Sequence, residues 1–257
     1  MRYKPKQPAE DNRPPVANAD VQFESVYVDD DLLVIGKPSG LVTQPGLGHV
    51  KDTLLNGLFA RYGHQLRQLG PRRDWGLLHR LDRQTSGLLV VALRPRAYDT
   101  LRDDFEHRRL DKQYLAIVAG RPDPMQGVVQ ARLKEIQADK KKVIISRSGE
   151  EAISAYQVVS FSASAALVDV RIKTGRLHQI RAHMMFLGTP VLGDDLYIPD
   201  GMSYNKLPKA PRLCLHAWKL GFKHPVANTW REFIQVPPPD FLAVVRRLGL
   251  NMSTESA

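Results

Sequence analysis

Apolar residues along this chain fall into short runs, and the spacing within each run predicts an element. Val168, Val170 and Ile172 alternate with Asp169, Arg171 and Lys173, the period of a half-buried antiparallel strand with one wet face. Phe23–Val28 and Asp31–Lys37 read as two strands around the acidic turn Asp29-Asp30-Asp31, and Lys37-Pro38-Ser39-Gly40 ends the second. Further strands are predicted at Leu88–Leu93, Lys112–Val118, Val128–Leu133, Ala152–Phe161, Leu213–Phe222 and Glu232–Val236. Helical spacing is rarer. Thr53–Tyr62 opens on an N-cap residue and carries Leu54, Leu55, Leu58 and Phe59 on one side. Pro95 starts a second helix with Leu101 and Phe105 on one face, and Asp240–Leu248 closes the chain.

Many strands with few helices between them, joined as hairpins, predict an α+β fold: a mixed, mainly antiparallel central sheet flanked by helices. Residues 1–20 hold four prolines and no apolar period, so they read as a flexible lead. One domain is expected over 21–250, with 251–257 as a tail. Glu135–Gly149, with Lys140-Lys141-Lys142, reads as a solvated loop. Gly193-Asp194-Asp195-Leu196-Tyr197 and the Pro-rich segment after it read as another, and no internal repeat is present.

Composition adds a partner class. The 257 residues are 43% hydrophobic, enough for one large core. The net charge is +10, and the first twenty residues contribute only +1 of it. The charge therefore sits on the folded body, where it attracts a polyanion such as nucleic acid. The single cysteine, Cys214, excludes an internal disulfide and a cysteine zinc cluster. Without a signal-like N-terminus or a long uncharged apolar run, a soluble cytoplasmic protein that binds no membrane is expected.

Candidate chemistry lies in His79-Arg80-Leu81-Asp82-Arg83-Gln84-Thr85-Ser86-Gly87, a polar loop running straight into the apolar strand at Leu88. Taken alone, Asp82 and Thr85 would cap a turn, and Arg80 and Arg83 would be solvated. A second segment, Thr174-Gly175-Arg176-Leu177-His178-Gln179-Ile180-Arg181-Ala182-His183, turns through a glycine into a helix ending near Gly188, with Ile180, Met184 and Leu187 as its buried stripe.

Read together with Lys37-Pro38 and Tyr114, these segments resemble the signature of the RluA-type pseudouridine synthases, over about Phe23 to Phe241. The resemblance implies the pseudouridine synthase fold and an RNA partner, ribosomal or transfer RNA, whose uridines are isomerised to pseudouridine. It implies Asp82 as the essential acid, Arg181 as its salt-bridge partner, and Tyr114 as the ring over the uracil and a proton acceptor. Arg80 is implied as the side chain that enters the stack vacated by the flipped base. The reaction breaks one glycosidic bond and forms another with no redox change, so no cofactor and no metal are expected. Lys37 and Arg176 are candidates for RNA phosphate contact or for local support. His79, His178, His183 and His216 are expected to pack or hydrogen-bond. Gly36 and Leu177 depart from the family, which often has Asn and a small hydroxyl residue there. The lead is too short for the S4-type RNA-binding domain of several relatives, and a monomer is expected.

Two rival readings remain at this level. A metal-dependent nuclease would use Asp82, Asp194 and Asp195, but His178 and His183 lie five apart, about 140° round a helix, and do not form a ligand pair. A non-catalytic RNA-binding protein would share the charge and the fold.

Overall fold

The computed structural model describes residues 13–137, 141–199 and 207–252. Most of the lead, Lys140, part of the Pro-rich segment and the end of the tail lie outside the described residues.

Among the described residues, ten strands form one sheet. They are β1 (Glu24–Val28), β2 (Leu32–Lys37), β3 (Ser86–Ala92), β4 (Asp111–Ala119), β5 (Gln126–Ile136), β6 (Lys142–Ile145), β7 (Glu150–Phe161), β8 (Ala165–Ile172), β9 (Leu215–Lys223) and β10 (Trp230–Ile234). The order across the sheet is β1-β2-β3-β9-β4-β8-β7-β5-β6, and β10 also pairs with β9. Only β3 and β9 run parallel, through Ser86↔His216 and Gly87↔Ala217; the other strand pairs are antiparallel. The mixed, mainly antiparallel architecture read from the pattern is the one observed.

Four helices flank the sheet: α1 (Leu54–Leu69), α2 (Pro95–Glu106), α3 (Gln179–Phe186) and α4 (Pro239–Arg247). Strands β2 and β3 are buried along their whole length, as expected of strands covered on both faces. Helix α1 continues past Tyr62, where its backbone leaves helical geometry, because Leu66 and Leu69 extend the buried side. Before it, the chain is already tied to the body: Asn56 Nδ2 donates to the Val16 carbonyl at 2.7 Å and Asn18 Nδ2 to that of Lys51 at 2.8 Å.

The loop expected at Glu135–Gly149 is instead largely a hairpin. β5 runs on to Ile136 and β6 pairs back on it from Leu133↔Ile145 to Ile136↔Lys142. β6 is only four residues long, with Val143 buried and Ile144 and Ile145 exposed, so no alternation marks it in the sequence. Val143 joins Leu133, Ala152, Ala182 and Tyr197 in a small second core that fixes this hairpin to α3 and to the loop at Asp194.

Candidate active site

The loop carrying Asp82 is fastened on both sides. Thr43 Oγ1 donates to the Leu81 carbonyl at 2.9 Å, Gly40 N–H to that of Arg83 at 2.8 Å, and Ser39 Oγ to that of Gln84 at 2.7 Å. Within the loop, Thr85 N–H closes a turn onto the Asp82 carbonyl at 3.1 Å. His79 Nε2 accepts the Val90 N–H at 3.1 Å, and burial pushes its pKa down to about 3, so it serves as a neutral acceptor. Gly87 ends the loop at φ 117°, where a Cβ would lie 2.2 Å from the Ala217 carbonyl oxygen. Only glycine lets β9 approach β3 there.

Lys37 points inward, beneath the Asp82 loop. It is 1% exposed, and its ammonium donates to the carbonyls of Pro38 and Leu41 at 2.8 Å and of Arg83 at 3.1 Å. All three of these contacts are to carbonyls inside the protein. Burial pushes its pKa down to about 7, against the pull of the Asp82 charge.

The other wall is built by the turn before α3. Gln179 is buried and ties that turn together: its Oε1 accepts Thr174 Oγ1 at 2.7 Å and Arg176 N–H at 3.1 Å, and its Nε2 donates to the Ile153 carbonyl and Ser154 Oγ at 3.0 Å. His178 holds the left-handed conformation, φ 51°, at the head of the helix, strain of the kind that gathers at functional sites. The helix then aims Arg181 across 99 residues of sequence at Asp82, Nη1 to Oδ2 at 3.2 Å.

Arg181 has a second partner. Its Nε and Nη2 bind Asp194 Oδ2 and Oδ1 at 2.7 and 2.9 Å, and its guanidinium carbon lies 5.1 Å from the centre of the Tyr197 ring. Burial works against its charge, but the Asp194 and Asp82 carboxylates more than offset that, so its pKa is raised. His178 Nε2 stands 3.8 Å from Asp82 Oδ2, and its Nδ1 is 3.2 Å from the Tyr197 hydroxyl. Burial lowers the imidazole's pKa against the attraction of Asp82, keeping it neutral at neutral pH.

Arg80, Asp82, Tyr114, Arg176, His178 and Arg181 line one open cleft. Tyr114 sits 8% exposed in β4. Burial and then the Asp82 charge raise its phenol pKa, holding the hydroxyl protonated. Arg80 is exposed at the rim. Arg176 reaches the cleft while bonding the Glu151 carbonyl at 3.1 Å and pairing with Glu150.

The structure thus gathers Asp82, Tyr114, Arg181, Arg80 and Arg176, and moves Lys37 beneath the loop. His79, His183 and His216 hydrogen-bond in the interior as expected, whereas His178 faces the cleft. Asp194, which entered only as an acid of the nuclease reading, and Tyr197 are the residues near Asp82 that the synthase reading did not place. Their local signal is an acid two and three residues before N–H groups that its Oδ1 accepts, those of Leu196 and Tyr197. The signal marks a turn but does not name Arg181 as the partner. Gly36, one of the two departures from the family pattern, faces the end of the Gln235 side chain, which would have to move to admit a Cβ.

A family model described as RNA pseudouridylate synthase matches residues 31–185, a span that contains Asp82, Tyr114 and Arg181. The chain belongs to the RNA pseudouridine synthase family. Among its relatives, ribosomal large subunit pseudouridine synthase D of Zymomonas mobilis is 34% identical over 237 residues, covering 90% of this chain and 74% of that one. An uncharacterised RNA pseudouridine synthase of Mycobacterium bovis is 34% identical over 229 residues, 88% of this chain and 74% of the relative. The solved structure of human RNA pseudouridylate synthase domain containing 4 superimposes with a TM-score of 0.68 at 28% identity, covering 89% of this chain and 94% of that one. A pseudouridine synthase is an isomerase of RNA. No described helix is long and apolar enough to cross a membrane.

Proposed function

We propose that the cleft receives one uridine extruded from folded ribosomal or transfer RNA, and that Asp82 acts on its sugar as the essential acid. The observation that carries this is the Asp82–Arg181 pair, 3.2 Å apart at the wall of the cleft that Tyr114 also lines. A carboxylate covered by a base tends to protonate, and a guanidinium in contact favours its charged form. The Tyr114 ring stacks on the uracil, offsetting part of the few kcal/mol spent on unstacking it. Arg80, exposed at the rim, fills the vacated stack, and Arg176 steers the backbone. A relative named for the large ribosomal subunit favours ribosomal RNA as the target. We place the activity in one catalytic body over 21–250, acting as a cytoplasmic monomer without cofactor.

The nuclease alternative is not supported by the geometry. Both Asp194 oxygens are engaged by Arg181, whose cation already stands between Asp194 and Asp82. Among the described residues, the acids and histidine grouped like metal ligands are Asp29, Asp31 and His224, none of which lines the cleft.

The test is tritium release from RNA carrying 5-³H-uridine, because the C5 proton leaves when C5 becomes the glycosidic carbon. The wild type releases tritium. Asp82→Asn is expected to fold and bind RNA and release none; turnover by that variant removes Asp82 from its role. A protein that only binds RNA releases none in either form.

A further inference from the structure

Two lysines near the cleft are drawn in from solvent, and they use their charge differently. Lys37 gives its ammonium to three backbone carbonyls. Lys112, in β4, is partly buried, yet among the described residues no carboxylate, carbonyl or hydroxyl receives its ammonium. Its contact is the Phe105 ring, whose centre lies 5.5 Å from Nζ. Burial and the nearby Arg108 charge push its pKa down to about 8. A cation shielded from water without an acceptor carries a cost that an arriving anion removes.

The ammonium stands beside the cleft. Residues two apart on a strand share a face, so Lys112 leaves β4 on the side of Tyr114. A Cβ on Gly175, a residue of the cleft wall, would lie 3.8 Å from its Nζ. Phe105 also packs against His79, with ring centres 5.0 Å apart, at the start of the loop that carries Arg80 and Asp82. The neighbouring arginines already hold carboxylates: Arg108 pairs with Glu151 at 2.8 Å, and Arg176 pairs with Glu150. His79 is neutral.

We propose that Lys112 is a phosphate-binding residue: its ammonium takes a non-bridging oxygen of the RNA strand that enters the cleft, next to the extruded uridine. This rests on the cleft receiving RNA. A lysine binds phosphate as a point charge and needs no fixed fork geometry, so one ammonium at the edge of the cleft is enough to hold a strand in register. Its partly dry setting leaves the pair less screened than one in open solvent. Glu150 and Glu151, the acids nearest this edge, are held by Arg176 and Arg108 and so do not take the ammonium themselves.

The test is filter binding of the full chain to ribosomal RNA carrying 5-³H-uridine, from about 50 to about 200 mM salt, with tritium release as the second readout. Lys112→Met is expected to weaken binding about tenfold at the low-salt end and to lower the salt slope by about one. The loss should fall on KM rather than kcat. The variant should melt no lower than the wild type, because removing this ammonium leaves no acceptor unpaired. Lys112→Arg, which keeps the charge, should keep the slope. A wild-type slope in Lys112→Met overturns the proposal, as does a lowered Tm with affinity retained, which means that Lys112 only supports the fold. A fall in kcat at unchanged KM also overturns it, by placing the residue in the chemistry. Lys112→Gln, with a polar end in place of the charge, is read by the same criteria should methionine disturb the packing on Phe105. Tritium release by Asp82→Asn, or none by the wild type, would sink the parent reading instead; Asp82-dependent release beside an unchanged slope in Lys112→Met sinks this inference alone.

Discussion

Replacing Lys37 with methionine separates a buried support from a phosphate contact, because the two roles predict opposite outcomes in two assays. The ammonium donates to three carbonyls, those of Pro38, Leu41 and Arg83, and hydrogen bonds from a charged donor contribute roughly 1.5–3 kcal/mol each. Against this stands the cost of burying the charge. A pKa depressed from 10.5 to about 7 corresponds to roughly 5 kcal/mol at about 1.4 kcal/mol per unit. Methionine of similar length loses the first, roughly 4.5–9 kcal/mol in all, and recovers the second, for a net loss of about 2 kcal/mol, which lowers Tm by roughly 4–8 °C in a chain of this size. The pH dependence has a definite sign. Between pH 7 and about 10 the unfolded lysine keeps a proton that the folded one has released, so wild-type stability gains up to about 1.4 kcal/mol per pH unit from this group. The methionine variant lacks that gain, and the gap in Tm therefore widens as pH rises through this window. Since the Arg83 carbonyl belongs to the Asp82 loop, turnover should fall about 100-fold, the scale of a misplacement near 1 Å. RNA affinity and its salt dependence should stay as in the wild type. A variant with wild-type Tm whose salt slope is lower by about one would refute the assignment and return Lys37 to the RNA interface.

Tyr114 divides into ring and hydroxyl. Tyr114→Ala is expected to weaken RNA binding by about 1–3 kcal/mol, the value of one base–aromatic stack, while Tyr114→Phe keeps wild-type affinity in the same filter-binding assay; equal losses in both variants would show that the ring does not stack. With its phenol pKa raised by burial, Tyr114 should contribute no basic limb to the wild-type pH–rate profile below about pH 10; a limb near pH 8 that vanishes in Tyr114→Phe would contradict this. Gly87→Ala forces a Cβ to within 2.2 Å of the Ala217 carbonyl oxygen at a positive φ, and is expected to destabilise the fold by about 2–4 kcal/mol in chemical denaturation. Wild-type stability in that variant would mean that the parallel β3–β9 contact is not rigid.

Local pattern settled a good deal of this protein. The alternation of Val168, Val170 and Ile172 was enough to place β8 and its wet face, since period two is a property of the extended backbone itself. The order of Asp82, Tyr114 and Arg181 along the chain, in segments of the right wording, was enough to suggest the chemistry. What the pattern could not contain were the contacts made across the sheet. Lys37 reads like any exposed basic residue before a proline; only the meeting of its strand end with the Arg83 loop turns its ammonium inward. Asp194 reads like half of an acidic turn, and its contact with Arg181 exists only because β5 and β6 pack their small core against α3 and bring the loop at Tyr197 beside Arg181. Strand β6 itself, four residues long with one buried side chain, has the β-branched residues of a strand but no alternating pattern, and its pairing with β5 is what reveals it. A residue's own spacing fixes which way its side chain leaves the backbone, but which opposite charge waits there is set by strand order, and strand order is decided by the whole fold.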